Sequence, residues 1–460
     1  MSSPFYGIDL ASKALRAFQR GLDVTGHNIA NVNTRGYSRQ LIDYSVGQAT
    51  SGYGVHKFSL GEGVQIAGIN RARDSFLDAR LRTSESDLSR SDSMLASLRN
   101  IESVMNEPGT SGISSALNKF FDSWSGLASN PGDAAQRQQV QAAGQTLTSR
   151  IRNLYRDLEA QNTQATDTNT ATFDQIDHLA AEISHLNSQI QEQSAAGNVP
   201  NDLLDSRDTA IADLNKIVAV QVTPTANNSV LVAISGYTLV DLSGTHAVIR
   251  NYDASTQSLV DPAGCTFALT GGSLTGQIAA IGKLKGVQSQ LDGLANNLRT
   301  EVNVMHRTGL NNLGNTGVDF FNDAVPQTGA RDFDLSVAVN ADFNAIAAGI
   351  TPNDGDGGLA LSMSGLRDRK IASLGNQTFR TFYSQVVSGV GRDVAFFKGS
   401  AETQSAIVDQ TNAQVQSVSG VSIDDEMANM LKFQRSYQAA AKALSVFDQM
   451  TEDLIGMLKR

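Results

Sequence analysis

Both ends of this 460-residue chain carry a narrow apolar stripe that recurs at alternating spacings of three and four residues. Toward the N-terminus it runs through Ile8, Ala11, Leu15, Phe18, Leu22, Thr25 and Ile29. Toward the C-terminus it runs through Met430, Phe433, Tyr437, Ala440, Leu444, Phe447, Thr451, Leu454 and Leu458. That period belongs to the α-helix, and a stripe so narrow is a seam that meets another helix rather than a broad face lying on a core. Neither helix buries its stripe alone. Periodicity leaves two arrangements open: both helices dock on the protein's own core, or they pair with each other and with neighbouring molecules.

The helix limits are marked. Ser3 caps a start at Pro4, and Asn33 to Gly36 supplies turn chemistry where the first seam stops. Ser422 with Asp425 three positions on predicts the start of the last helix, where Asp424, Asp425 and Glu426 meet the positive end of its dipole and Lys459 and Arg460 the negative end. Between the ends, Gln40 to Arg73 alternates like extended chain. Heptad-like lines then follow in Leu77 to Met105, Ile113 to Leu127, Val140 to Leu158 and Ile176 to Ile190, with a Thr-rich stretch from Thr163 to Thr172 that weakens the middle of the last two. After a short helix from Asn201 to Lys216 the period changes to two in Val218 to Ile234, with a turn at Asn227-Asn228. Helix resumes at Leu284. The expected class is mainly α with a smaller β part.

The longest unbroken apolar run is Val230 to Ile234, far short of a membrane span. Charges interrupt Ile8 to Ile29 throughout, so no cleavable secretory signal is expected and any export takes another route. Net charge is −10 and no Lys/Arg cluster tracks a phosphate backbone, which argues against nucleic acid as a partner. The single cysteine, Cys265, excludes an intramolecular disulfide framework and a Cys-based zinc cluster.

Residues 26 to 40, GHNIANVNTRGYSRQ, resemble the ANxxTxGY motif of the flagellar axial protein family, which builds rod, hook and hook-filament junction; Ala30, Asn31, Thr34, Gly36 and Tyr37 fill its positions. The stretch SVSGVSIDDEMANMLKFQRSYQAAAKAL, from Ser417 to Leu444, is similar to the signature of the hook-associated junction branch of that family, with Ser419, Gly420, Val421, Ser422, Asp425, Glu426, Gln434 and Tyr437 in place. Further similar stretches are GEGVQIAGINRARDSFL (61 to 77), NDLLDSRD (201 to 208) and VNVMHRTGLNNLGNTGVDFF (302 to 321).

The resemblance implies terminal helices paired as an inner coiled coil (1–40 and 419–460), a long-helix middle domain (41–216, with extended segments over 41–73, and 276–418) and a small outer β module (217–275). It implies a structural subunit of the bacterial flagellum that joins hook to filament as the first junction layer. A hook or distal-rod protein, or a flagellum-anchored enzyme or adhesin, is the alternative. The implied partners are the hook protein, the next hook-associated junction protein, copies of the chain itself in a ring or helical layer, and an export chaperone. The implied location is extracellular, on the flagellum, by type III export without a cleaved signal and with no membrane partner.

Three stretches carry residue types that metal or phosphate chemistry would use. His178, Glu182 and His185 share a helix face but suggest no fourth metal ligand. Asn353 to Gly358, NDGDGG, has Gly358 and Gly365 where a calcium loop needs ligands. Gly276 precedes Gly282-Lys283 by one residue too many for a phosphate loop, and Leu284 replaces its hydroxyl residue. No catalytic, metal or cofactor residue is therefore expected.

Overall fold

A computed structural model describes residues 5–47, 49–51, 59–61, 63–107, 109, 112–246, 250–260, 264–323, 329–352 and 355–458. Ser3, Pro4, Lys459, Arg460 and the side chain of Leu458 lie outside the described residues. The chain is mainly helical, with a smaller β part and long helices at both termini, as the periodicity predicts. The helices are α1 (Tyr6–Ala30), α2 (Ser75–Met105), α3 (Ile113–Ser129), α4 (Ala134–Ala195) and α5 (Asn201–Ile217). They continue with α6 (Ser273–His306), α7 (Val337–Ala341), α8 (Gly358–Gly365), α9 (Phe379–Ser419) and α10 (Ile423–Leu458). Among the described residues no helix is long and apolar enough to cross a membrane.

Two compact units divide the chain. One comprises residues 1–87, 174–248 and 404–460; the other comprises 88–173 and 249–403. In the second unit, α3 turns a single face inward through Leu117, Phe120, Phe121, Trp124 and Leu127, all at 2% exposure or less. Phe120, Trp124, Phe320 and Phe321 interlock there with ring centroids 4.9 to 6.3 Å apart, a spacing that favours edge contacts between rings. The loop after α6 is tied to this cluster from the helix itself. Asn303 Nδ2 donates to Phe321 O at 2.9 Å while its Oδ1 accepts from the Phe320 and Phe321 amides. His306, fully buried, lies 2.7 Å from Val318 O through Nδ1, and its Nε2 accepts from the Ala347 amide at 2.9 Å. Those partners require the neutral imidazole, and burial pushes its pKa down to about 4.

The first unit brings together both ends of the chain. The strands β1 (Gln40–Val46), β2 (Ala49–Ser51), β3 (Ser59–Gly61) and β4 (Val64–Arg71) form an antiparallel arm, β1 against β4 and β2 against β3, with a register shift at Asp43/Tyr44. A four-stranded sheet follows α5: β5 (Gln221–Pro224), β6 (Val230–Ile234), β7 (Tyr237–Asp241) and β8 (Gly244–Thr245) in sequential order. The turn before β6 uses Asn227 and Asn228 at φ of 56° and 59°, left-handed values that asparagine tolerates. The remaining strands belong to the second unit: β9 (Tyr252–Asp253), β10 (Ser258–Val260) and β11 (Thr266–Ala268) in one sheet, and β12 (Leu310–Asn311) paired with β13 (Ala347–Gly349).

Candidate functional site

The N-terminal and C-terminal helices pack against each other within one chain, so neither seam lacks a partner. Their antiparallel register is read from close approaches. A Cβ built at Gly7 would lie 2.6 Å from the Phe447 ring, and one built at Gly21 would lie 2.8 Å from the Phe433 ring. Asn28 reaches Glu426 at 3.3 Å. These contacts are separated by fourteen and then seven residues along α1 and by the same intervals in the opposite sense along α10, and a seven-residue interval places Ala14 opposite Ala440. This is coiled-coil register, with small residues on α1 admitting aromatic knobs from α10. The line most deeply buried on α1 is Ala11, Ala17, Gly21, Val24, Thr25 and Asn28.

Of the seam residues singled out in sequence, Ala11 is buried, and Ile8, Leu15, Phe18, Leu22 and Ile29 are half-buried around that line. On α10, Ala440 is buried, Phe433, Leu444 and Phe447 are half-buried, and Gln434, Tyr437 and Leu454 are exposed. The helix also exposes Ile423, Met427 and Leu431 in its first half and Val446 and Met450 in its second.

At the end of the pair where α1 stops, a polar clasp joins three segments of the chain. Asn28 is its hub, 1% exposed. Its Nδ2 donates to Gln40 O at 3.0 Å and to Glu426 Oε2, and its Oδ1 accepts from the Gln40 amide at 2.9 Å and the Tyr37 hydroxyl at 2.7 Å. The flat side-chain amide thus satisfies the exposed backbone edge of β1 as a neighbouring strand would. Since Tyr37 gives its one proton to Asn28, His27 Nδ1, 3.0 Å away, donates to the phenol oxygen. Burial first, and then the negative charges of Asp202, Asp205 and Glu426, push the Tyr37 phenol up, which keeps it a donor. Glu426, 2% exposed, receives Arg39 Nε at 2.7 Å as its second partner, and the Arg39 amide donates to Ser419 O at 2.9 Å. Ser422 Oγ accepts from the Asp425 amide at 3.3 Å at the start of α10, Gly420 N donates to Gln416 O at the end of α9, and Val421 spans between the two helices.

The motif residues after α1 shape the turn. The Asn31 amide side chain donates to His27 O, closing the helix end, and Thr34 Oγ1 donates to Asn31 Oδ1 at 3.1 Å. Gly36 sits at φ +78°, and a Cβ there would lie 2.0 Å from Thr209 Oγ1. Only glycine combines that backbone with that approach. Ala30, exposed, is the last residue of α1.

The root of the arm is held by one face of α5, which the sequence reading marked only as a similar stretch. Asp205 accepts from the Ser38 amide, the Ser38 hydroxyl and Arg71 at 2.7 to 2.9 Å. Asp208 accepts from Arg71 at 2.8 Å and Arg73 at 2.5 Å, and Asp202 accepts from Gln40 Nε2 at 3.0 Å. Positions 202, 205 and 208 recur every three residues, the signal that places three carboxylates on one helical face. Asn28 carried no such signal, because an asparagine inside an apolar period scores as an interruption.

Glu182 of α4 lines a cavity with His27, Asn31, Tyr37 and Asp202, and no metal-ligating set forms there among the described residues. His178, Glu182 and His185 are exposed on α4, and among the described residues no three metal-ligating side chains converge. Asp356 accepts from the Gly358 amide, the Thr351 hydroxyl and the Thr351 and Ile350 amides, which in that order hold its carboxyl well below the usual range; Asn353 and Asp354 lie outside the described residues.

Comparison with known proteins gives one consistent picture. Residues 98–321 match a family model described as "Flagellar hook-associated protein FlgK helical domain". Residues 413–457 match "Flagellar basal body rod FlgEFG protein C-terminal", and residues 8–37 match "Flagella basal body rod protein". The chain is similar to flagellar hook-associated protein 1 of Bacillus subtilis, at 28% identity over 99% of this chain and 98% of the relative. It is similar to the Escherichia coli protein of the same name at 26% identity, over 98% of this chain and 99% of the relative. The solved structure of the flagellar hook junction protein FlgK from Burkholderia pseudomallei shares the fold, with a TM-score of 0.64 over 74% of this chain and 100% of that one, at 18% identity.

Proposed function

This chain belongs to the flagellar hook-associated protein 1 family, and from that membership we propose that it is the structural subunit laid first on the hook, joining it to the filament. One observation carries the reading. Both ends of the chain fold into a single antiparallel pair in heptad register, clasped by Asn28, Arg39 and Glu426, while α10 keeps exposed apolar side chains that a neighbouring subunit would cover. The pair is an assembly element: rigid within the subunit and apolar toward the lattice.

In this reading the work is mechanical, with no catalytic step, and the partners are the hook protein, the next hook-associated junction protein and further copies of the chain in a ring or helical layer. An export chaperone accompanies the unfolded chain to the flagellar type III pathway, and the destination is the cell exterior. The motif residues Ala30, Asn31, Thr34, Gly36 and Tyr37 set the angle at which the chain leaves the pair. The domains follow the division from 1–40 inward to 217–275 and back to 419–460.

The test exploits an exposed position. Leu15 and Leu444 are half-buried, so a charge at either reaches the fold as well as the lattice, whereas Leu431 is 54% exposed. Leu431→Asp is expected to leave the thermal melt of the purified protein unchanged and to abolish its labelling at hook tips, leaving hooks bare and flagellin in the medium. Lys442→Gln serves as the polar control. Normal filaments on cells carrying Leu431→Asp would remove this face from assembly, and normal filaments on cells lacking the protein would overturn the junction role itself.

A further inference from the structure

Helix α4 runs for 62 residues, and its inward line is not uniform. Ile151, Leu154 and Leu158 are at most 7% exposed on one side, and Phe173 and Ile176 at most 2% on the other. The helical spacing of three and four residues puts Asn162, Ala165 and Asn169 on the same line between them. Asn169 is completely buried, and neither its Oδ1 nor its Nδ2 has a hydrogen-bond partner; Asn162 Oδ1 is buried without one as well. An unmet buried amide favours any fluctuation that lets water reach it.

Threonines distributed around the same segment weaken it separately. Thr163, Thr166, Thr168, Thr170 and Thr172 each donate the side-chain hydroxyl to the carbonyl four residues back, at 2.8 to 3.2 Å. Those carbonyls already accept helix bonds, and such sharing loosens and bends helices. β-branched residues also lower helix propensity. Packing beside the segment is open too: a cavity of about 290 Å³ is bounded by Ser97 and Asn100 of α2, Gln164 and Thr168 of α4, and Gln277 and Ile281 of α6. Three independent features therefore coincide within about three turns of one helix.

We propose that residues 162–172 of α4 form a compliant segment that opens locally while the helix on either side stays packed. The compliance belongs to the folded chain and does not depend on the junction role. Hydrogen–deuterium exchange on the full-length protein tests it. Amides 163–172 are expected to exchange at least tenfold faster than those of 147–158 and 176–190 under native conditions. Asn169→Leu, which removes the unmet amide, is expected to slow the segment at least tenfold. Thr163→Ala with Thr166→Ala and Thr170→Ala acts only on exposed positions, preserves the fold, and is expected to slow it several-fold even if Asn169→Leu does not fold. Uniform protection along α4 in the unaltered protein would overturn the proposal. So would fast exchange at 163–172 that the alanine variant leaves unchanged.

Discussion

Replacing Asn28 with alanine removes four hydrogen bonds and little volume. Two of the four serve the amide and carbonyl of Gln40, which sit at a buried residue with no strand on that side; a third serves Glu426, 2% exposed. A buried polar group left without a partner costs about 1–3 kcal/mol, so two backbone groups and a weakened carboxylate site together give about 3–5 kcal/mol. At about 2–4 °C per kcal/mol for a large cooperative unit, the melting transition of the first unit falls by roughly 10 °C. Asn31→Ala is the comparison, since Asn31 bonds only a helix-end carbonyl and Thr34, and about 1 kcal/mol is expected there. Asn28→Asp sharpens the result, because it swaps the Nδ2 donor for a carboxylate facing Glu426, and it is expected to melt lower at pH 7 than at pH 4. Thermal melts followed by circular dichroism suffice. An Asn28→Ala protein melting within a degree of the unaltered one, or no lower than Asn31→Ala, would show that the clasp does not hold the helix pair.

Three further outcomes are expected. His306 is held neutral with a pKa near 4 against an ordinary 6.5, so the unfolded chain binds the extra proton and stability falls as pH drops through that window, by about 2 kcal/mol between pH 7 and pH 5. Urea melts at the two pH values measure this, and His306→Gln should flatten that part of the slope. Gly36→Ala combines a left-handed backbone with a clash against Thr209 and should destabilise by about 2 kcal/mol or more in the same urea melts. Gly26→Ala, at a helical glycine with open space where the methyl would go, should instead stabilise by roughly 0.5–1 kcal/mol; the opposite order of the two glycine variants would refute the geometry.

The helices were legible because their signal is repetitive: the lines through Leu117 to Leu127 and Val140 to Leu158 are the faces that the second unit buries. At the terminal helices periodicity weighted Leu15, Phe18 and Leu22, whereas the closest contacts fall at Gly7, Gly21 and Asn28. Close helix approach selects the smallest residues, and a reading by hydrophobicity ranks those last. The same blindness applies to the asparagines borne on helices. Asn28 at Gln40, Asn187 at Val230 and Asn303 at Phe320 and Phe321 each pair a side-chain amide with strand or loop backbone, and each reads in sequence as mere polarity. A period of two was visible from Val218 to Ile234, and the individual strands at 252–268 were not. The partition of the strands, 221–245 in one unit and 252–268 in the other, depends on tertiary contacts that no local pattern encodes.

The bond between Asn28 and Glu426 spans 398 positions of sequence. Closing so long a loop costs on the order of 5 kcal/mol in chain entropy before any contact is gained, so α1 has little reason to settle early. The second unit draws on residues 88–173 and 249–403 and is complete in an emerging chain while 404–460 are still missing. The layout therefore favours an order in which the middle of the chain sets before its two ends meet, and the first thirty residues then serve as a tether for the last forty.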